Sequence, residues 1–300
     1  MLAVQCDQLT KRFGRFEAVK QLSFQIEANK ITGLIGHNGA GKTTLLKILA
    51  GFLYESNGDV QVFSEQPFNN VFVSANSILI DDDMIFPEKL TLKEILEEAQ
   101  QFYESWDMTL ARRLFNYFAF DDRQFHSHLS KGKKSTFNAI VGLASHCALT
   151  MFDEPTVGMD AAVRQDFYRA LLKDYLAHPR TIIISSHYLN EIEDLLEDVL
   201  LIKNGEKRLH LPIETLQTYA LGLSGSVEQV EALVGSDTVL HRRQVDHDHV
   251  YVVIENNHSS LFLEQAQKVG IKVSSISPSD LCVYLTNETV GGIDDVFDQA

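Results

Sequence analysis

Cysteine is scarce in this 300-residue chain: Cys6, Cys147 and Cys282 are widely spaced, odd in number and contain no C-x-x-C pair. That pattern excludes a disulfide framework and a thiolate zinc site, and reads as three small apolar residues of a reducing compartment. Long apolar runs are missing too. No stretch reaches the ~18 consecutive apolar residues of a membrane span, and Met1-Leu2-Ala3-Val4-Gln5-Cys6-Asp7 has no signal-peptide pattern, so a cytosolic chain is expected. Basic residues are the third deficit. The 26 Lys and Arg against 41 Asp and Glu leave a net charge of −15, which argues against an extended nucleic-acid surface. Much of the imbalance lies in residues 212–300, with 13 acidic and 4 basic side chains. The simplest use of that acidity is solubility; subunit pairing and binding of a regulator are the other uses it allows. His241, His247, His249 and His258 in the same stretch hint at a metal or pH sensor, but no carboxylate or cysteine joins them at a recognisable ligand spacing.

Against these absences stands one dense motif, Gly36-His37-Asn38-Gly39-Ala40-Gly41-Lys42-Thr43, which satisfies G-x-x-x-x-G-K-[ST]. Strand-like Lys30 to Ile35 precedes it and helix-like Thr44 to Ala50 follows. Gly36, Gly39 and Gly41 let the backbone curl until its N–H groups face one centre, where the helix N-terminus adds partial positive charge. The result is a nest for polyphosphate. Lys42 reaches the outer phosphates, and the Thr43 hydroxyl is a ligand for the accompanying Mg²⁺.

Period-two alternation over residues 2 to 36, clearest in Glu17 to Glu27, predicts strands at the start of the chain, and Asn57-Gly58 opens another. Helical periodicity in Thr91 to Ala99, Thr109 to Phe120 and Ser130 to Ser145 marks a helical insertion over about 84–146. Apolar strands then alternate with helices through Leu149 to Phe152, Ala161 to Tyr175, Thr181 to Ile184, Leu189 to Leu196 and Val199 to Ile202. This order predicts an α/β fold with a mainly parallel sheet covered on both faces, preceded by an antiparallel β subdomain. A small α+β appendage follows over 212–300, built from helix, two strands, helix and strand.

Leu149 to Phe152 ends in Asp153-Glu154. Alone, such a pair is a solvated loop start. Downstream of a phosphate loop it reads as catalytic: a buried parallel strand delivers its C-terminal tip to the crevice of an open sheet, where Asp153 holds Mg²⁺ through water and Glu154 orients or deprotonates a nucleophile. The next strand, Thr181 to Ser186, ends at His187. A lone histidine is commonly structural, but this one is expected at the same sheet edge, within reach of a γ-phosphate and attacking water.

With these residues in place, the chain from about residue 3 to 212 resembles the ATPase subunits of ABC transporters. Leu129-Ser130-Lys131-Gly132-Lys133-Lys134 is similar to the family's signature motif, in the Ser-Lys-Gly form of one exporter-type branch. Asp153-Glu154-Pro155-Thr156 resembles the Mg²⁺ strand with its catalytic glutamate, Gly158-Met159-Asp160 the D-loop, and Ser185-Ser186-His187 the H-loop. Phe13 stands where an aromatic stacks on adenine. The resemblance implies ATP and Mg²⁺ as ligands, with Gly36, Asn38, Gly39, Ala40, Gly41, Lys42, Thr43 and Thr44 around the phosphates. It implies a second ATPase subunit, identical or not, closing head to tail so that Ser130, Lys131, Gly132 and Asp160 act across the interface. It also implies a separate permease receiving the insertion, with Phe86, Phe102, Tyr103 and Trp106 as candidate exposed contacts, although at helical spacing the same four read equally well as core. Such a chain would sit on the cytoplasmic face of the membrane, with export favoured over import. An assembly ATPase working without a permease, and a regulatory subunit with weak turnover, are the alternatives.

Two residues depart from the family pattern. Ser77 to Asp83 contains no glutamine where the Q-loop has one, and Asp81 takes its place. A carboxylate can hold a Mg²⁺-bound water but cannot donate to a phosphate oxygen. Lys131 and Lys133 replace the more common glycine and glutamine, and Lys131 either adds positive charge beside the γ-phosphate or points into solvent, with the first favoured.

Overall fold

The computed structural model describes residues 1–235, 237–257 and 260–286, which divide into a unit spanning Met1–His210 and a second starting at Leu211. The first unit opens with β1 (Leu2–Phe13) and β2 (Phe16–Glu27), paired antiparallel. Next come β3 (Ile31–Ile35), α1 (Lys42–Leu49), β4 (Asn57–Val62), α2 (Val71–Asn76) and β5 (Ser77–Ile80). A helical stretch carries α3 (Leu92–Phe102), α4 (Met108–Tyr117) and α5 (Lys131–Ala144). The chain then returns through β6 (Leu149–Asp153), α6 (Ala161–Ala177), β7 (Thr181–Ser186), β8 (Asp198–Lys203) and β9 (Glu206–Pro212).

Two sheets result. β4 pairs with β1 to give the antiparallel order β2-β1-β4, whereas the six-stranded sheet runs β5-β6-β7-β3-β8-β9. Its first five strands are parallel, short and almost wholly buried, as apolar strands covered on both faces must be. The Asn204-Gly205 turn, with φ of 52° and 81°, folds β9 back on β8, because both positions need the left-handed region of a tight hairpin turn. Helix α1 lies between the sheets. Leu45, Leu46, Ile48 and Leu49 pack in one cluster with Leu9, Leu22 and Ile26 of the antiparallel strands and Leu34, Met151, Ile183 and Leu200 of the parallel ones. The helix that follows the phosphate loop is thus held on both sides by one hydrophobic core.

In the helical stretch, the Thr91–Glu94 capping box starts α3, and Asp107 and Ser130 cap α4 and α5. Phe86, Phe115, Phe120 and Phe137 form an edge-to-face aromatic cluster at its centre. Leu189 to Leu196, expected to be helical, forms two single 3₁₀ turns at Leu189–Glu191 and Glu193–Leu195. Leu189, Ile192 and Leu196 are buried at spacings of three and four, which such turns also satisfy. No described helix is long and apolar enough to cross a membrane.

The second unit contains α7 (Ile213–Leu216), β10 (Ala220–Ser226), α8 (Val227–Val234), β11 (Val239–Gln244), β12 (His249–Glu255), α9 (Ser260–Lys268), β13 (Lys272–Ser275) and α10 (Pro278–Thr286). Its antiparallel sheet has the order β11-β12-β10-β13, with Leu223, Val252 and Ile254 packed against Val230 of α8 and Ala266 of α9. Among the described residues, the histidines singled out above form no metal-ligand group there. His241 stacks on Tyr284 and His249 pairs with Asp246, while His258 lies outside the described residues. The three cysteines are buried thiols.

Candidate active site

The parallel register sets the site. β3 runs into the glycine-rich loop, and Asp153, the last residue of β6, lies opposite Ser185 of β7, with Ile35 opposite Ser186. Three strand tips therefore end together. At Gly41, φ of 104° and a backbone so close that a Cβ would strike the Ala18 carbonyl leave room only for glycine. A Cβ at Gly36 would likewise strike the Ile202 carbonyl. The Gly205 amide donates to the Ala40 carbonyl at 3.0 Å, tying the loop to the β8–β9 turn. Asn38 and Gly39 at the loop's crest are exposed, Thr44 half-buried, and no side chain caps α1.

Below the loop, six side chains form one connected group. The Lys42 ammonium, 5% exposed, donates to the carbonyls of Gly36 at 2.6 Å and His37 at 3.3 Å and lies 3.1 Å from Glu154 Oε1. The Thr43 hydroxyl donates to Asp153 Oδ2 at 2.5 Å, and the Ser185 hydroxyl donates to Asp153 Oδ1 at 2.5 Å. Ser185 Oγ in turn accepts the Glu154 amide at 2.9 Å. His187 Nδ1 stands 3.2 Å from Glu154 Oε2 without the alignment of a hydrogen bond. Glu154 itself has φ of 46°, a left-handed conformation that turns its carboxylate back between Lys42 and His187.

This donor set fits the two ligands the loop implies. A hydroxyl and a carboxylate side by side are hard oxygen ligands of the kind Mg²⁺ takes, and a glycine cradle opening an uncapped helix suits phosphate oxygens.

Asp81 directly follows β5 beside this group. Lys47 of α1 holds it, 3.7 Å from Asp81 Oδ2 and 2.8 Å from Asp83 Oδ2. Burial raises the Asp81 carboxyl above its ordinary value although Lys47 opposes the shift. The hydrogen bond from Lys47 lowers Asp83 and raises Lys47 itself. Lys47 was not foreseen as part of this loop; its position on the exposed face of α1, one turn beyond Thr43, was the available signal.

Ser130, Lys131 and Gly132 belong to a second group. Ser130 accepts the Lys133 amide at 3.4 Å as the cap of α5. A Cβ at Gly132 would collide with the Gly158 carbonyl, and Ser135 donates to the Val157 carbonyl at 2.8 Å, so the start of α5 is clasped to the loop after Glu154. Asp160 closes that loop as the cap of α6, accepting the Val163 amide at 2.9 Å. Lys131 Nζ lies 2.9 Å from Asp82 Oδ2 of the same chain, both side chains more than half exposed.

Phe13, half exposed at the tip of the β1–β2 hairpin, has its ring 5.2 Å from the Lys11 ammonium. The cleft of about 650 Å³ beside Gly39 is lined by Arg12, Gly14, Phe16, Lys20 and Asn204. Phe16, across the hairpin from Phe13, was not anticipated there. Trp106, expected to be exposed, is 9% exposed and stacks on Tyr103, so it is not available as a surface contact. A different surface is apolar: Val71, Met84, Phe86, Leu90, Phe102 and Tyr103 line a groove of about 580 Å³, with Phe102 76% exposed.

Fold and site together define an ATPase cassette of the phosphate-loop NTPase class. The sequence family described as ABC transporter matches residues 19–157. The ABC transporter ATP-binding protein YtrB of Bacillus subtilis is 29% identical over 190 residues, 63% of this chain and 65% of YtrB. The uncharacterized ABC transporter ATP-binding protein MJ1023 of Methanocaldococcus jannaschii is 31% identical over 205 residues, covering 68% of this chain and 75% of that protein. The chain belongs to the family of ATP-binding subunits of ABC transporters. The fold matches that of the ATP-binding cassette MJ0796 bound to ADP and Pi, at a TM-score of 0.61 and 18% identity over 70% of this chain and 98% of that one. More distant relatives serve opposite directions, peptide export for SkfE of Bacillus subtilis and sulfate/thiosulfate import for CysA of Vibrio cholerae.

Proposed function

We propose that the chain hydrolyses ATP at the Lys42–Thr43–Asp153–Glu154–Ser185–His187 group, as one half of a composite site, to drive a separate membrane permease. The observation that carries this reading is the Glu154 carboxylate, fixed by its own backbone conformation and held between Lys42 and His187. The glycine-loop amides and Lys42 bind the β- and γ-phosphates, and Thr43 and Asp153 would hold Mg²⁺, which would neutralise phosphate charge. Glu154 orients the attacking water and accepts its proton, while His187 positions Glu154 and the γ-phosphate. Ser185 keeps Asp153 and the Glu154 backbone in register.

Ser130, Gly132 and the N-terminus of α5 then complete the γ-phosphate site of a second subunit, identical or not, with Asp160 at the same interface. Phe13 is assigned to adenine, and Asp81 to a Mg²⁺-bound water. The groove beside Phe102 fits an apolar segment of the permease, and the exporter-type resemblance of the Ser130-Lys131-Gly132 stretch favours outward transport. Under this reading the chain is held at the cytoplasmic face of the membrane through that partner. The test is Glu154→Gln: ATP binding retained, ATP-dependent dimerisation by light scattering strengthened, and turnover lowered about 10²- to 10⁴-fold. Wild-type turnover in that variant would remove Glu154 from the chemistry.

A further inference from the structure

The N-terminal ends of the same parallel strands carry a second cluster. His146 precedes β6, and Asp174 and His178 close α6 ahead of β7. His146 Nε2 lies 2.9 Å and His178 Nδ1 3.4 Å from one atom, Asp174 Oδ1, and all three donor atoms fall within 4.8 Å of one another. We propose that His146, Asp174 and His178 bind a divalent transition-metal ion of the zinc type, at the sheet edge away from the phosphate loop.

The spacing carries the argument. A tetrahedral zinc ion with bonds of roughly 2.0–2.1 Å separates its donors by about 3.4 Å; the two imidazole nitrogens already lie 2.9 and 3.4 Å from Asp174 Oδ1, and the third separation is within 4.8 Å. A shared proton accounts for the 2.9 Å approach of His146, but 3.4 Å exceeds the usual length of a hydrogen bond, and the second imidazole is still turned onto the same oxygen. The two rings stand 4.7 Å apart at 36°, side by side rather than in separate environments. His146 is held there by a left-handed backbone, with φ of 45°.

The second carboxylate oxygen is held by charge, in ion-pair contact with an arginine and without an aligned hydrogen bond. Arg180 Nη2 lies 2.8 Å from Asp174 Oδ2, and Arg180 is itself anchored by Thr150 and the carbonyls of Leu143 and His178. Asp174 and His146 are 5% and 12% exposed, whereas His178 is 57% exposed, which leaves one open side for ion entry and for a water as fourth ligand. Two imidazoles and one carboxylate select zinc, nickel or copper over Mg²⁺ or Ca²⁺.

Position gives the site a consequence. α5 begins with Lys131 and Gly132 and ends just before His146; α6 begins after Asp160 and ends beside His178. An ion here would fasten the far ends of the two helices whose starts are clasped near Gly158, about 20 Å away along α5.

The test uses the full chain stripped of metal and titrated with Zn²⁺ against a chromophoric chelator. One ion per chain is expected at micromolar Kd or tighter, weakened at least tenfold by His146→Ala and by His178→Ala, and unchanged by Asp153→Asn or His249→Ala. Equal affinity in wild type and His178→Ala, or loss of binding in Asp153→Asn alone, would overturn the proposal. Should His146→Ala fail to fold, the exposed His178→Ala decides, read also by the visible absorption of four-coordinate Co²⁺, present in wild type and absent in the variant. None of these readouts depends on ATP turnover.

Discussion

Replacing Ser185 by alanine tests the site at its most buried joint. The hydroxyl belongs to a residue with 0% exposure, donates to Asp153 Oδ1 and accepts the Glu154 amide. Removing it deletes a hydrogen bond to a charged carboxylate, about 1.5–3 kcal/mol, and leaves the Glu154 amide without that acceptor. If the whole loss falls on the geometry of Asp153 and Glu154 during turnover, kcat drops about 10- to 150-fold, since ~1.4 kcal/mol is one decade. ATP binding rests on the glycine loop and Lys42, so nucleotide affinity measured without turnover should change less than about threefold. The Mg²⁺ concentration for half-maximal rate should rise, because Asp153 loses its fixed orientation. Ser185→Thr, which keeps the hydroxyl in a residue that suits a strand, should recover much of the rate. Steady-state phosphate release at varied ATP and Mg²⁺, with a melting curve for each variant, supplies the readouts. An alanine variant that folds, binds ATP and turns over at the wild-type rate would refute the idea that Ser185 sets the two carboxylates.

Asp81→Asn probes the altered Q-loop by pH. Because burial raises the Asp81 carboxyl, its contribution favours the fold below the unfolded value near 3.8 and is lost as pH rises through the folded value. The variant should therefore melt higher than wild type at neutral pH, with the difference shrinking toward pH 4; a constant difference would contradict this. Gly132→Ala forces a Cβ onto the Gly158 carbonyl and should cost about 1–3 kcal/mol of stability by chemical denaturation, together with ATPase activity. An unchanged midpoint would show that the clasp yields. Phe13→Ala should raise KM for ATP about fivefold or more with little change in kcat, as the loss of a ~1–3 kcal/mol base stack requires; if Phe16→Ala does so instead, the adenine seat belongs to the ring lining the cleft beside Gly39.

The local parts of the site were legible because local spacing makes them. The glycine loop, Lys42 and Thr43 are adjacent in the chain, and Asp153 and Glu154 terminate an apolar strand. Ser185 was within the H-loop resemblance, but its role needs the parallel register that sets it opposite Asp153, a partner 32 residues away. Lys131 was expected beside a phosphate, and in this chain it pairs with Asp82, a contact that depends on how the helical stretch meets the loop after β5. Periodicity could not separate the buried Trp106 from the exposed Phe102, four residues earlier, because both fit one apolar rhythm. His146 and His178 read as isolated histidines in sequence. Two strand entries and the end of a helix make them neighbours.

The left-handed φ of Glu154 sets selection for stability against selection for turnover. That conformation costs a residue with a side chain about 1–2 kcal/mol, and glycine adopts it freely. Among random substitutions at this position, Glu154→Gly is thus the one that relaxes the backbone while deleting the proposed base. Libraries of this chain screened for folding or yield should accumulate it, and libraries screened for ATP turnover should purge it.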